Sequence, residues 1–389
     1  MNKSNNVLRH DHRQRKRFEN IDVLRGIVMI LMCIDHARDY TGVFPTDPMT
    51  LSETPLWLYV LRVLAHLCAP TFIFLSGISA GIVGTRKSKG ELSKHLISRG
   101  AILCLLEITL VNWGWSFNPL YNTIYLQVIW AIGISMMLLG VALHLRKWML
   151  AVVAFSILGF HNLFSGVHFD CPALHYGWSF ILQKNLLPIG EEMMVRTTYP
   201  VLPVFAVMTF GYLISVWFTA AGEEQRRKNL LCLSCGMIIT FLTLRLAVGY
   251  GDPFPLDWNN FVLSLGNLTK YPLSLNFVLL YLAPAIIFLA ISERWKFSEY
   301  NLLMTLGRVP MFFYILHLYL LHLIILVWLI CNEYTLDFTT SLGAVPSGIG
   351  YPAWWLWWII PVVSIAMYLP CRWYYRLKSS HKYLWTRYV

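Results

Sequence analysis

The chain has 389 residues, of which 57% are apolar and only 13% charged, with a mean hydropathy of +0.55; the charged share is about half that of an ordinary soluble domain. That excludes a water-soluble globule and a disordered chain, and eight Cys over this length exclude a disulfide-stapled module. The net charge of +11 raises nucleic acid as a partner, but the placement of the charges points elsewhere.

A membrane span needs about 20 mainly apolar residues. Ten stretches meet that need, at 21–40, 57–84, 98–115, 123–143, 148–162, 199–219, 229–249, 276–292, 309–331 and 354–375. They predict an all-α polytopic membrane protein with a basic segment at 1–20, one transmembrane domain at 21–376 and a tail at 377–389. With the N-terminus inside, cytoplasmic segments hold 24 of the 31 Lys and Arg, while the outer loops hold only Arg38, Lys184, Arg196 and Lys270. This is the positive-inside bias, and it places both termini in the cytoplasm. The net charge therefore reports topology, and the expected partner is the lipid bilayer rather than nucleic acid. The RHDHRQRKR run reads as an anchor for the first span or a contact for anionic lipid. The first apolar stretch is interrupted by Arg25, Asp35 and His36 and no small-residue cleavage site follows, unlike a cleavable signal peptide.

The first span, FENIDVLRGIVMILMCIDHARDY, is the richest in ionisable groups. These are costly in hydrocarbon and mark functional sites by default. Arg25 and His36 are eleven residues apart, almost three full helical turns, so they share a face about 16 Å apart along the axis. Asp39 lies three residues beyond His36, within reach of an imidazole N–H, and Asp35 can pair with Arg38 on a neighbouring face. A His oriented by a carboxylate can act as a general base. An Arg half a membrane away can hold a phosphate of a long cofactor whose reactive end reaches that His. The structural alternative is an interfacial His–Asp pair with a snorkelling Arg.

The second span puts Arg62 and His66 on one face, suiting a neutral acceptor imidazole or a polar knot between helices. Pro70 predicts a tilt or break there, and Ser76 and Gly77 suit close helix contact. Glu107 in the third span reads as structural glue, with Arg62, His66 or Arg245 as its candidate partners. His161 closes the fifth span. In the ninth span His317 and His322 are five apart, which is not a metal-pair spacing, whereas Tyr314 and His317 share a face. No zinc-type or Asp-rich motif occurs, so no metal is expected. There is no P-loop, GxGxxG or GxSxG. Cys232 and Cys235 read as packing residues, and Cys171 and Cys331, both expected outside, are candidates to pair.

Five fragments occur in order: IDVLRGIVMILMCIDHARD, LCAPTFIFLSGISA, TYPVLPVFAVMTFGY, LTKYPLSL and LGRVPMFFYILHLYLLH. Together they resemble a bacterial membrane family grouped with the catalytic domain of heparan-alpha-glucosaminide N-acetyltransferase, over about residues 17–376. The Arg25-x10-His36 spacing is also similar to the Arg…His signature of the wider transmembrane acyltransferase group. Two positions depart from the pattern, Val204 after the YPVLP Pro and Leu273 in KYPLSL.

The resemblance implies a multi-pass acyltransferase of the bacterial cytoplasmic membrane. It would move an acyl group, of acetyl type, from cytoplasmic acetyl-CoA or another acyl-CoA to an extracytoplasmic glycan or other acceptor. His36 inherits the role of base or acyl relay, with Asp39 orienting it and Asp35 beside it. Arg25, with Arg308 at the mouth of the ninth span, would hold CoA phosphates. His66 and His317 would line the transfer site, and Lys270 and Tyr271 would contact the acceptor. A homo-oligomer is compatible with this reading. The rival is a proton-coupled secondary transporter, since intramembrane His, Asp and Glu also build proton relays; against it, no two-fold repeat of the hydropathy pattern is visible.

Overall fold

The computed structural model describes residues 18–40, 55–298, 300–338, 345 and 348–380. Most of the basic segment 1–20 and the last nine residues of the 377–389 tail lie outside the described residues. The principal helices are α1 (Glu19–Asp39), α2 (Leu56–Gly84), α3 (Lys89–Ser116), α4 (Val128–Ala142), α5 (Lys147–Phe164), α6 (Val201–Thr219), α7 (Glu223–Val248), α8 (Leu275–Arg294), α9 (Pro310–Cys331) and α10 (Ala353–Ser379). Eight of them are long and apolar enough to cross a membrane. The other two fall short for different reasons: α1 carries Asp22, Arg25, Asp35 and Arg38, and α4 has only 15 residues.

Four boundaries differ from the hydropathy reading in an informative way. Helix α3 begins at Lys89, nine residues before the apolar run at 98. Ser88 accepts from the Glu91 N–H while the Glu91 carboxylate accepts from the Ser88 N–H at 2.8 Å, a capping box that starts the helix in polar sequence. Helix α4 begins at Val128 because Thr123–Leu126 forms strand β1. Helix α7 starts at Glu223, six residues early, in its charged first turns. Helix α2 breaks at Leu67 rather than at Pro70. The proline ring clashes with the carbonyl four residues earlier, that of His66, so the interruption falls upstream of the ring.

Close helix packing rests on glycines that face each other in pairs. A Cβ on Gly77 would strike the Met208 carbonyl, and one on Gly211 would strike the Phe74 carbonyl, so α2 and α6 approach backbone to backbone. Gly100 and Gly133 do the same for α3 and α4. The short helix Leu302–Arg308 docks on α1 through Gly307 against the Asp22 carbonyl and Gly26 against the Leu303 carbonyl.

At the end of the bundle away from the basic loops, β2 (Asn185–Ile189) pairs antiparallel with β3 (Met193–Thr197), and β3 pairs parallel with β1. Gly190, at φ +74°, makes their turn. Asn112 in α3 secures β1: its Oδ1 accepts from the Tyr125 N–H at 2.9 Å. Just before it, Glu107–Val111 widens into a π-turn. Glu107 is fully buried there, but its carboxylate accepts from the Gln127 N–H at 2.9 Å rather than meeting Arg62, His66 or Arg245. Arg245 instead donates to the carbonyls of Phe254 (2.5 Å) and Ser264 (2.9 Å) and fixes the loop after α7. Cys171 and Cys331 are free.

Candidate active site

Helix α1 holds its ionisable residues against four neighbours. The Asp35 carboxylate binds the Arg62 guanidinium from α2, the Lys270 ammonium at 3.1 Å and Arg38 at 3.7 Å. One buried carboxylate thus gathers three cations from three parts of the chain. The expected Asp35–Arg38 pair is present within this larger cluster. Asp39 binds Arg38, not His36. The i,i+3 geometry allowed the His–Asp contact, but the adjacent guanidinium takes the carboxylate instead.

His36 finds its partner 281 residues away: its Nδ1 lies 2.8 Å from His317 Nε2 on α9, with the two rings stacked at 16°. His317 Nδ1 lies 2.9 Å from the Phe313 carbonyl. A carbonyl only accepts, so His317 carries its proton on Nδ1, and in the neutral ring its Nε2 is an acceptor. His36 must then donate from Nδ1, which leaves its Nε2 with a lone pair. Trp115 edge-on at 4.9 Å and Tyr314 edge-on at 5.8 Å hold the His36 ring from its other sides.

His36 lines a cavity of about 820 Å³ between α1, α2, α3, α4 and α9. The walls are largely apolar, with Met29, Met32, Phe72, Leu103, Ile132 and Met311 among them. Polar groups mark its two ends. Arg99 and Ser76 stand toward the basic loops, and Asp35, His36, Lys270, Tyr199 and Tyr314 stand toward the sheet. Arg25 binds Asp22 at 3.3 Å and also Ser79, less than one helical turn beyond Ser76.

The Lys270 loop is bolted in place by neighbouring segments. Asp252 accepts from the Thr269 N–H at 2.8 Å and from the Ser274 hydroxyl at 2.5 Å. His161 Nε2 lies 2.9 Å from the Leu273 carbonyl, so this residue in the last turn of α5 is a tether for the loop. Burial disfavours the Lys270 ammonium, but Tyr271 and Asp35 outweigh it and hold the amine above its ordinary value. The Tyr271 ring packs edge-on to Tyr199 at 4.8 Å, with the Lys270 and Lys184 ammonium groups 5.3 and 4.9 Å from its centroid.

Of the residues singled out in the sequence, His36, Asp35, His317, Lys270 and Tyr271 come together. Two do not. His66 is buried behind the cavity wall against Phe277 and Tyr281, while Ala65, Cys68 and Ala69 of its helix face the cavity. Arg308 lies over the Tyr375 ring at 4.7 Å, outside the cavity lining. The cation at the basic-loop end of the cavity is Arg99, which the charge count assigns to the cytoplasmic side although it falls at the edge of the 98–115 stretch. The Ser88-x-x-Glu91 signature was the signal that starts the helix early and sets Arg99 inside it rather than at its beginning. Among the described residues no group of His, Cys, Asp and Glu is arranged to hold a metal ion.

Residues 17–246 match the family model described as heparan-alpha-glucosaminide N-acetyltransferase, catalytic. That range contains Arg25, Asp35, His36, Arg62 and Arg99; the segments contributing Lys270 and His317 follow it. No individual curated protein matches the chain. The match covers more than half of the sequence, and with its apolar helices the chain belongs to the heparan-alpha-glucosaminide N-acetyltransferase catalytic family, as a multi-pass membrane protein of acetyltransferase type.

Proposed function

We propose that the chain transfers an acetyl group from acetyl-CoA, entering at the cytoplasmic end of the cavity, to an amine or hydroxyl of an extracytoplasmic acceptor, with a glucosaminide-type glycan as the favoured class. The observation that carries this reading is that His36, bonded through Nδ1 to His317, lines a cavity joining a basic end to a polar one; that bonding leaves Nε2 as its lone-pair atom.

In this mechanism Arg99 and Arg25 attract the phosphates of CoA, and the apolar sleeve of Met and Leu side chains takes the pantetheine arm and excludes water. His36 Nε2 removes the proton of the acceptor N–H or O–H as the acceptor attacks the thioester carbonyl. The C–S bond breaks, and the imidazolium returns the proton to the departing thiolate. His317 steadies the imidazolium from behind. The same Nε2 can attack the thioester itself and carry the acetyl group to the acceptor in a second step. Lys270 and Tyr271 border the acceptor, and Asp35 holds Lys270 and Arg62 in position. Both termini are cytoplasmic in this arrangement, and α1 and α4 complete ten spans.

Calorimetry of acetyl-CoA with the purified protein in detergent tests the donor. Micromolar binding that weakens in Arg99→Ala supports the reading; absence of binding by well-folded wild-type protein overturns it.

A further inference from the structure

A second cavity, of about 770 Å³, opens at the basic-loop end of the bundle and shares no lining residue with the first. Three lysines line it from separate places: Lys87 in the turn after α2, Lys89 at the start of α3 and Lys147 at the start of α5. All three are exposed, and none forms an ion pair with a described carboxylate. Glu91, in the first turn of α3, is taken up by Ser88: the Ser88 backbone and hydroxyl, with a smaller contribution from the charge of Lys87, hold its carboxyl below the usual range. The opposite wall is the end of α6, where Tyr212, Leu213 and Val216 face the cavity. Val216 is an exposed apolar residue at a helix end.

We propose that this cavity binds the headgroup of an anionic phospholipid, with the phosphate held by Lys87, Lys89 and Lys147 and the start of the acyl chains lying along Leu213 and Val216. Charge and position argue together. Basic loops at the inner surface are ordinary in membrane proteins, but three lysines from two loops converging on one concave site, none in an ion pair with a described carboxylate, are a recognition arrangement. The apolar wall beside them suits a molecule whose anionic head continues into hydrocarbon, rather than a free phosphate. Attraction of a lysine to an anionic membrane surface is worth about fivefold in affinity per residue, so removing three charges should weaken retention on the order of 100-fold.

The test is native mass spectrometry of the full chain purified from nanodiscs of phosphatidylglycerol and phosphatidylcholine, with lipid retention counted for each variant. Wild-type protein should retain phosphatidylglycerol selectively, the Lys87→Gln/Lys89→Gln/Lys147→Gln variant should lose it, and the corresponding triple Arg variant should keep it. A control that neutralises Lys94, Lys228 and Lys296, all exposed and outside the cavity, should retain lipid as wild type does. Equal loss in that control would reduce the effect to diffuse surface attraction and overturn the site. Displacement of the lipid by CoA at micromolar concentration would make the cavity a soluble-phosphate site, and it too would overturn the proposal. A wild-type protein without preference for phosphatidylglycerol contradicts it outright.

Discussion

His36 Nδ1 and His317 Nε2 are 2.8 Å apart, joining the first long helix to the ninth, and the His317 ring is anchored in turn on the Phe313 carbonyl. This chain of hydrogen bonds decides which nitrogen of His36 is free. His317→Gln keeps an acceptor for the His36 N–H, whereas His317→Phe leaves that donor without a partner. The expected result is a kcat within about tenfold of wild type for the Gln variant and a loss on the order of 100-fold or more for the Phe variant. Thiol release from acetyl-CoA measures both. Equal rates in the two variants would remove the orienting role of His317.

Asp35 holds the charge cluster together, so its loss should register in stability before chemistry. Asp35→Asn leaves Arg62 and Lys270 buried without their carboxylate, and breaking a buried pair costs about 3–5 kcal/mol. The melting transition in detergent should fall by several degrees. Adding Lys270→Met removes one of the stranded cations and should recover part of the loss. A double variant less stable than Asp35→Asn would argue against the cluster as drawn.

Arg99 and Arg308 make opposite predictions for donor affinity. Arg99 lines the cavity, while Arg308 lies against Tyr375. Hydrogen bonds to charged groups are worth about 1.5–3 kcal/mol, so Arg99→Ala should raise KM for acetyl-CoA by about 10- to 100-fold. Arg308→Ala should leave it within about twofold. A reversed order would return the donor site to the mouth of the ninth helix.

Gly307 approaches the Asp22 carbonyl too closely for a Cβ, whereas a Cβ at Gly90 would meet nothing within 4 Å. Gly307→Ala should therefore destabilise by about 1–3 kcal/mol, the usual range for overpacking, and Gly90→Ala should not destabilise. Thermal unfolding monitored by size-exclusion chromatography distinguishes the two.

The helical bundle was legible because apolar runs of membrane length leave little choice of structure. Its edges were less so where polar sequence continues a helix: the capping box at Ser88 and Glu91 extends α3 beyond its hydrophobic run, so that Arg99 lies well within the helix rather than at its start. Within α1 the spacing of Arg25, Asp35, His36 and Arg38 pointed to a functional face, and the Asp35–Arg38 pair follows from it. Local periodicity also offered Asp39 as the partner of His36, but tertiary packing supplied His317 instead. Such a contact between distant segments has no signature in the period of either helix. The same limit explains His66, whose face toward Phe277 rather than the cavity depends on how the first half of α2, which ends at His66, is rotated in the bundle.

The most direct test of the central claim is the initial rate of thiol release from acetyl-CoA in proteoliposomes with glucosamine as acceptor, compared between wild type and His36→Ala. The two proteins must first show matching elution and melting profiles. Transfer through His36 Nε2 predicts a rate reduced to background in the variant with wild-type activity clearly above it. A His36→Ala protein that keeps the wild-type rate would contradict the account.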